Sequence, residues 1–171
     1  VGRWFFGFIS TFFSILPALV YLVAGVFLGA GRAGGASVSS WLKGLLKEGL
    51  TPVTFGDVGL APSGFRVISG DVIVQELAKM MGPERVVFAL DVDGVYEGNT
   101  RVIIPELSVA KVRRMKVQEG DDATGGMRLK LEMAAKIAAG GTTVNFVSGY
   151  RRNEFSKAVR GLDFYGTVVR S

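Results

Sequence analysis

The stretch Arg85-Val-Val-Phe-Ala-Leu90, running directly into Asp91-Val-Asp-Gly-Val-Tyr96, constrains the fold more than any other part of this chain. It is short, apolar and rich in β-formers. A strand covered on one face alternates apolar and polar side chains, whereas a strand covered on both faces reads as a nearly continuous apolar run. Arg85–Leu90 is therefore expected to be a buried strand of an α/β sheet. It ends at two acids and a glycine, where ligands bind in open α/β sheets. If strand geometry continues through Asp91 and Asp93, their side chains share a face. The bland alternative is a turn in which Asp and Gly do local backbone work.

The flanking segments alternate in the way such a sheet requires. A helix is expected over Val72–Met81, with Ser69 or Asp71 as its cap. A longer one is expected over Thr124–Ala139, with Leu129, Met133 and Ile137 at helical spacing, Thr124 as cap and Gly140-Gly141 as stop. Thr142–Val147 reads as the next strand, ended by Ser148-Gly149. Asn153–Arg160 reads as a helix and Gly166–Val169 as a closing strand. Upstream, Ser39 or Ser40 would cap a helix over Trp41–Lys47 that Gly49 ends. Thr51–Phe55 reads as a buried strand ended by Gly56-Asp57, and Val58–Val67 as a hairpin or flap around Pro62-Ser-Gly64. Glu97–Ile104 reads as a loop with a short strand. Lys111, Arg113, Arg114 and Lys116 make Val109–Val117 a solvated basic face. The alternation of strands and helices predicts an α/β sandwich with a mostly parallel sheet.

Trp4–Gly31 carries no charge and lies between Arg3 and Arg32. It is long enough to span a bilayer. It also divides into a buried helix, Trp4–Ser14, a break at Pro17, strand-like runs at Leu19–Val23 and Gly25–Leu28, and a turn at Gly31–Gly35. Buried strands produce the same hydropathy signal, and the second reading is preferred.

Composition removes several chemistries. The 171 residues include no Cys and no His, so thiol chemistry, disulfides and histidine as base or metal ligand are excluded within this chain. The net charge of +5 suits an anionic ligand such as a nucleotide, and it is too dispersed to argue nucleic-acid binding. No Gly-x-x-x-x-Gly-Lys-Ser/Thr loop occurs. An anion site is instead suggested by Gly125-Gly126 at a helix start, where backbone N–H groups are unpaired and the dipole is positive; Lys130 lies within two turns.

Gly56-Asp57, Ile68-Ser-Gly-Asp71, Asp91-Val-Asp-Gly-Val-Tyr96, Thr124-Gly-Gly-Met-Arg-Leu-Lys130 and Phe164-Tyr-Gly-Thr167, in that order, resemble the amino-acid kinase superfamily. Within it they are most similar to archaeal-type isopentenyl phosphate kinases. The resemblance implies a three-layer α/β/α sandwich and transfer of the γ-phosphoryl group of Mg-ATP to a carboxylate, carbamate or phosphate. By motif, it implies that Lys130 holds ATP phosphates and stabilises the transferring group, and that Asp71 orients catalytic lysines. It assigns Gly126, Asp91, Gly94 and Tyr96 to the nucleotide, with Ser69 and Gly70, and Gly56 before them, on the acceptor side. No protein-ligated metal site is expected; ATP and Mg2+ are the implied cofactors. The implied acceptor is isopentenyl phosphate in isoprenoid biosynthesis, with uridylate or an acylated amino acid as alternatives. A cytoplasmic protein, without nucleic-acid or membrane partners and compatible with a homodimer, would follow.

The family's opening Lys-x-Gly-Gly-Ser loop and its acceptor-side histidine have no counterpart here. The chain is thus expected to be a single domain truncated at its N-terminus, with residues 1–70 on the acceptor side and 71–171 binding nucleotide. It would then lack one of two catalytic lysines, and a nucleotide-binding chain without activity is a further reading.

Overall fold

The computed structural model of the protein describes residues 19–23, 38–61, 64–98, 100–115 and 126–171. The expected helix at Trp4–Ser14, the strand at Gly25–Leu28, the turn at Gly31–Gly35, Pro62-Ser63, Lys116 and the Thr124 cap with Gly125 lie outside them. The chain divides into two compact units, Val1–Gly70 and Asp71–Ser171.

In the first unit, β1 (Leu19–Val23) pairs in parallel with β2 (Thr51–Phe55). Helix α1 (Val38–Lys47) comes between them in sequence. It starts three residues before the expected Trp41, so Ser39 and Ser40 are helical residues and not its caps. Gly49, at φ 73°, ends it, and the amides of Gly49 and Leu50 donate to the carbonyls of Leu46 and Leu45. β2 is half-exposed and not buried as expected: among the described residues its one strand neighbour is β1, and Phe55 at its end is exposed. β3 (Asp57–Ala61) and β4 (Gly64–Ile68) form the antiparallel hairpin.

The second unit is built on a four-stranded sheet in the order β5-β7-β8-β6. β5 (Arg85–Leu90) and β7 (Thr143–Ser148) are parallel, as are β6 (Glu106–Ser108) and β8 (Gly166–Arg170); β7 and β8 are antiparallel. Helix α2 (Gly70–Met81) leads into β5, α3 (Val109–Arg114) follows β6, α4 (Gly126–Ala139) leads into β7, and α5 (Glu154–Arg160) joins β7 to β8. β7 is the covered centre, buried from Val144 to Ser148. Its alternation selects the layers. Val144 and Phe146 join the cluster made with Leu131, Ala134 and Ala138 of α4. Asn145 turns the other way and donates its amide to Ala158 O of α5 at 3.1 Å. Helices therefore cover both faces, and the small alanines of α4 let it approach the sheet closely. Phe88 and Phe146 stack across β5 and β7 with ring centroids 5.3 Å apart. Burying a side chain such as Phe146 stabilises the unit by about 1.5–3 kcal/mol.

Strand β6 and helix α3 were not anticipated. The basic residues that mark this stretch do sit on a solvated face: Lys111, Arg113 and Arg114 are exposed while Val112 is buried. Ser108 Oγ caps α3 by accepting from the Lys111 amide. Among the described residues no helix is long and apolar enough to cross a membrane; of Trp4–Gly31 only Leu19–Val23 is described, as a strand.

Candidate active site

Chain direction brings the candidate residues of the second unit to one edge of its sheet. Helix α4 is about 21 Å long at 1.5 Å per residue, and β7 is about 20 Å long at 3.3 Å per residue. A tight turn at Gly140-Gly141 joins them. The start of α4 must therefore lie level with the carboxyl end of β7. The same reasoning places the start of α2 at the carboxyl end of β5. Because β8 is antiparallel to β7, Gly166 pairs with Val147 at this edge too. Ligands of α/β sheets bind at such carboxyl ends.

Gly126 opens α4 with φ 51°, a conformation that an L side chain rarely adopts. The first amides of a helix lack intrahelical acceptors and sit in the positive field of its dipole. Four residues on, Lys130 Nζ donates to Asp71 Oδ2 of α2 at 2.7 Å. The two side chains are 30% and 22% exposed, so the pair is partly dehydrated but still reachable from solvent. Asp71 lies inside α2 and cannot be its cap, which corrects one reading of the sequence. An ammonium carries three donors; the bond to Asp71 fixes one and leaves capacity for an anion.

The loop after β5 departs from strand geometry. Residues 91–94 form bends, so alternation stops at Leu90 and gives Asp91 and Asp93 no common face. Asp91 is exposed. Asp93 accepts from Arg151 through both oxygens, Nε to Oδ1 at 2.5 Å and Nη2 to Oδ2 at 2.9 Å. Such a fork is among the stronger charge-assisted contacts. It holds the Asp93 carboxyl below its ordinary range, chiefly through the hydrogen bonds from Arg151 and then through its charge; partial burial opposes the shift. Gly94 is buried, and a Cβ there would fall 2.9 Å from Thr167 Oγ1 and 3.2 Å from Ile103 Cγ2. Its need for glycine thus comes from close packing on β8. Tyr96 is half-buried and bridges to Ile103. Thr167 anchors this loop: its hydroxyl accepts from Val95 N at 2.9 Å and donates to Ile104 O at 2.7 Å.

Arg151, in the loop after β7, was not singled out in the sequence. Its guanidinium carbon lies 4.4 Å from the centroid of the Tyr165 ring. The Tyr165 amide donates to Glu154 Oε2 at 2.6 Å, and Lys157 Nζ donates to Glu154 Oε1 at 2.7 Å. These contacts hold the Glu154 carboxyl below its ordinary value, the Lys157 bond being the larger cause.

Gly56, Ser69 and Gly70, which the resemblance assigns to the acceptor, lie in the first unit and meet there. A Cβ on Gly56 would fall 2.7 Å from Ile68 O, 3.1 Å from Gly70 N and 3.5 Å from the Ser69 carbonyl carbon. The end of β2 therefore presses against the backbone between β4 and α2, and only glycine fits. Ser69 and Gly70 continue along the chain into Asp71.

Among the described residues no group of three or more Asp or Glu side chains gathers as a metal site. Mg2+ in phosphoryl-transfer sites takes one or two carboxylates and completes its shell with phosphates and water. The residues present are compatible with an ion that enters on a nucleotide.

Residues 32–148 match the family model described as the amino acid kinase family. The isopentenyl phosphate kinase of Methanocaldococcus jannaschii is 34% identical over 134 residues, covering 77% of this chain and 50% of that protein. The acetylglutamate kinase of Rubrobacter xylanophilus is 34% identical over 144 residues, covering 83% of this chain and 54% of that protein. The chain spans about half the length of the curated relatives it matches. In structure, isopentenyl phosphate kinase of T. acidophilum, solved as a product complex, superposes with a TM-score of 0.69 at 21% identity, over 95% of this chain and 64% of that one. That likeness speaks for the fold.

Proposed function

The chain belongs to the amino acid kinase family, and on that premise we propose that it transfers the γ-phosphoryl group of ATP to isopentenyl phosphate, forming isopentenyl diphosphate for isoprenoid synthesis. The observation that carries this reading is the Lys130–Asp71 ion pair, close to the glycine start of α4. ATP, arriving with Mg2+, supplies the phosphoryl group. The chain supplies position and charge. The amides at the Gly126 start of α4 receive phosphate oxygens, Lys130 stabilises negative charge on the group in transit, and Asp71 keeps the ammonium in place. Asp91, Gly94 and Tyr96 shape the nucleotide side. Gly56, Ser69 and Gly70 shape the acceptor side. In this reading residues 71–171 hold nucleotide and residues 1–70 hold the acceptor.

The test is turnover of Mg-ATP by the purified chain with isopentenyl phosphate, followed by ADP release and by phosphorus NMR of the diphosphate. Lys130→Ala should lower kcat by about 10²–10³-fold, the usual cost of losing one preorganised charge partner. Equal turnover in that variant would end the role given to Lys130. A second reading, transfer to the carboxylate of an acylated amino acid, draws on the comparable identity to an acetylglutamate kinase. Offering N-acetylglutamate and uridylate beside isopentenyl phosphate separates the acceptors. ATP binding without transfer to any of them would favour a nucleotide-binding role alone.

A further inference from the structure

The Arg151 side chain joins three segments that are remote in sequence. Its fork closes on Asp93 in the loop after β5, its flat face covers the Tyr165 ring just before β8, and its own backbone belongs to the loop after β7. Tyr165 is fixed in turn from below, because its amide donates to Glu154 at the start of α5. On its far side the loop that Arg151 grips is held by Thr167 at Val95, by the Ile104 amide to Val95 O at 2.8 Å, by the close packing of Gly94 on Thr167 and Ile103, and by the Tyr96–Ile103 bridge. Nothing else among the described contacts restrains the Asp93 side chain. An arginine fork opposite a carboxylate fixes both distance and plane, which a point charge would not do.

We propose that Arg151 is a positioning residue that clamps the Asp91–Tyr96 loop in its ligand-ready shape, so that nucleotide affinity depends on it while the transfer step does not. The proposal rests on the nucleotide reading of this edge. In this role Arg151 acts through Asp93 and Tyr165 rather than on the reacting groups. Losing it frees the loop, and ordering the loop again must then be drawn from the binding energy of the nucleotide.

Three variants test the clamp: Arg151→Ala, Arg151→Lys and Asp93→Asn, with the Arg151→Ala/Asp93→Asn double variant. In the full chain, Arg151→Ala should raise the KM for ATP by about tenfold and leave kcat within about twofold. Arg151→Lys keeps charge without the fork and should fall between Ala and wild type. The double variant should be no worse than the more affected single variant, because both remove one contact. Independently of any ligand, hydrogen exchange read by mass spectrometry should speed up several-fold over residues 91–98 in Arg151→Ala. Unchanged exchange there overturns the proposal, as does faster exchange with an unchanged KM, or full additivity in the double variant. Failure of the wild-type chain to bind ATP would instead overturn the nucleotide reading, and the exchange measurement would still decide whether Arg151 clamps the loop.

Discussion

Thr167 offers a direct measure of how firmly the Asp91–Tyr96 loop is built into the sheet. Its side chain is wholly buried, accepts one hydrogen bond from Val95 N and donates one to Ile104 O. Thr167→Val keeps the shape and removes both bonds, leaving a buried N–H without an acceptor and a carbonyl without that donor. Each buried group left unpaired costs about 1–3 kcal/mol, so the variant should lose about 3 kcal/mol. Thr167→Ser makes the opposite change, keeping the hydroxyl and deleting a buried methyl, at about 1 kcal/mol. Amide exchange of β7 and β8, which opens with the unit, reads both. The expected acceleration is roughly 10²-fold for valine and roughly fivefold for serine. The order is the critical result. If serine costs as much as valine, the methyl packing and not the hydroxyl holds the loop, and the anchoring role of Thr167 is wrong. If the reasoning holds, Thr167→Val also raises the KM for ATP, since Val95 adjoins Tyr96.

Other outcomes follow from the same geometry. Gly94→Ala drives a methyl against Thr167 Oγ1 and Ile103, and this overpacking should cost about 1–3 kcal/mol; an unchanged melting temperature would show that β8 yields freely. Gly56→Ala meets backbone at Ile68 and Gly70, so it should raise the KM for the acceptor more than that for ATP, and equal effects would separate Gly56 from the acceptor side. Glu154 titrates below its ordinary value of 4.5, held first by Lys157 and then by the Tyr165 amide. A carboxyl depressed in the folded state contributes stability above its ordinary value and loses it as pH falls through the folded one. Stability should thus decline below pH 4.5, and Glu154→Gln should flatten that decline in urea titrations at stepped pH; an identical acid limb in both proteins would refute it.

Much of the fold was legible because it is written locally. Arg85–Leu90 is a strand to the residue, and the helix ending at Met81 and the closing strand at Gly166 follow from apolar spacing and glycine punctuation. Features that depend on neighbours were not legible. Thr51–Phe55 reads as buried because Val53 and Phe55 are apolar, yet among the described residues only β1 flanks it and it is half-exposed. Ser39 and Ser40 look like caps, but a cap is defined by where the helix begins, and α1 begins at Val38. The candidate site divides in the same way. Glycines at strand ends and helix starts announce themselves, since only the backbone is at stake.

Arg151 shows why side-chain partnerships did not. In sequence it is one of two adjacent arginines after a tyrosine, indistinguishable from Arg152 as a solvated basic residue. Its partner Asp93 is 58 positions away, just as Thr167 lies 72 positions from Val95 and Lys130 lies 59 from Asp71. Pairs this far apart meet only because β5 and β7 are parallel neighbours whose loops leave the sheet at one edge, while β8 enters there in reverse. The sheet order is thus the missing term between residue types and chemistry. Once it is known, the useful question is which charged side chain on that edge has an opposite charge within reach of its own loop. Asp93 is answered by Arg151 and Asp71 by Lys130, while Asp91, next to the end of β5, is exposed. The edge therefore carries one cation held close to a helix start and one held to shape a loop. On that difference rests the expectation that Lys130 variants change kcat and Arg151 variants change KM.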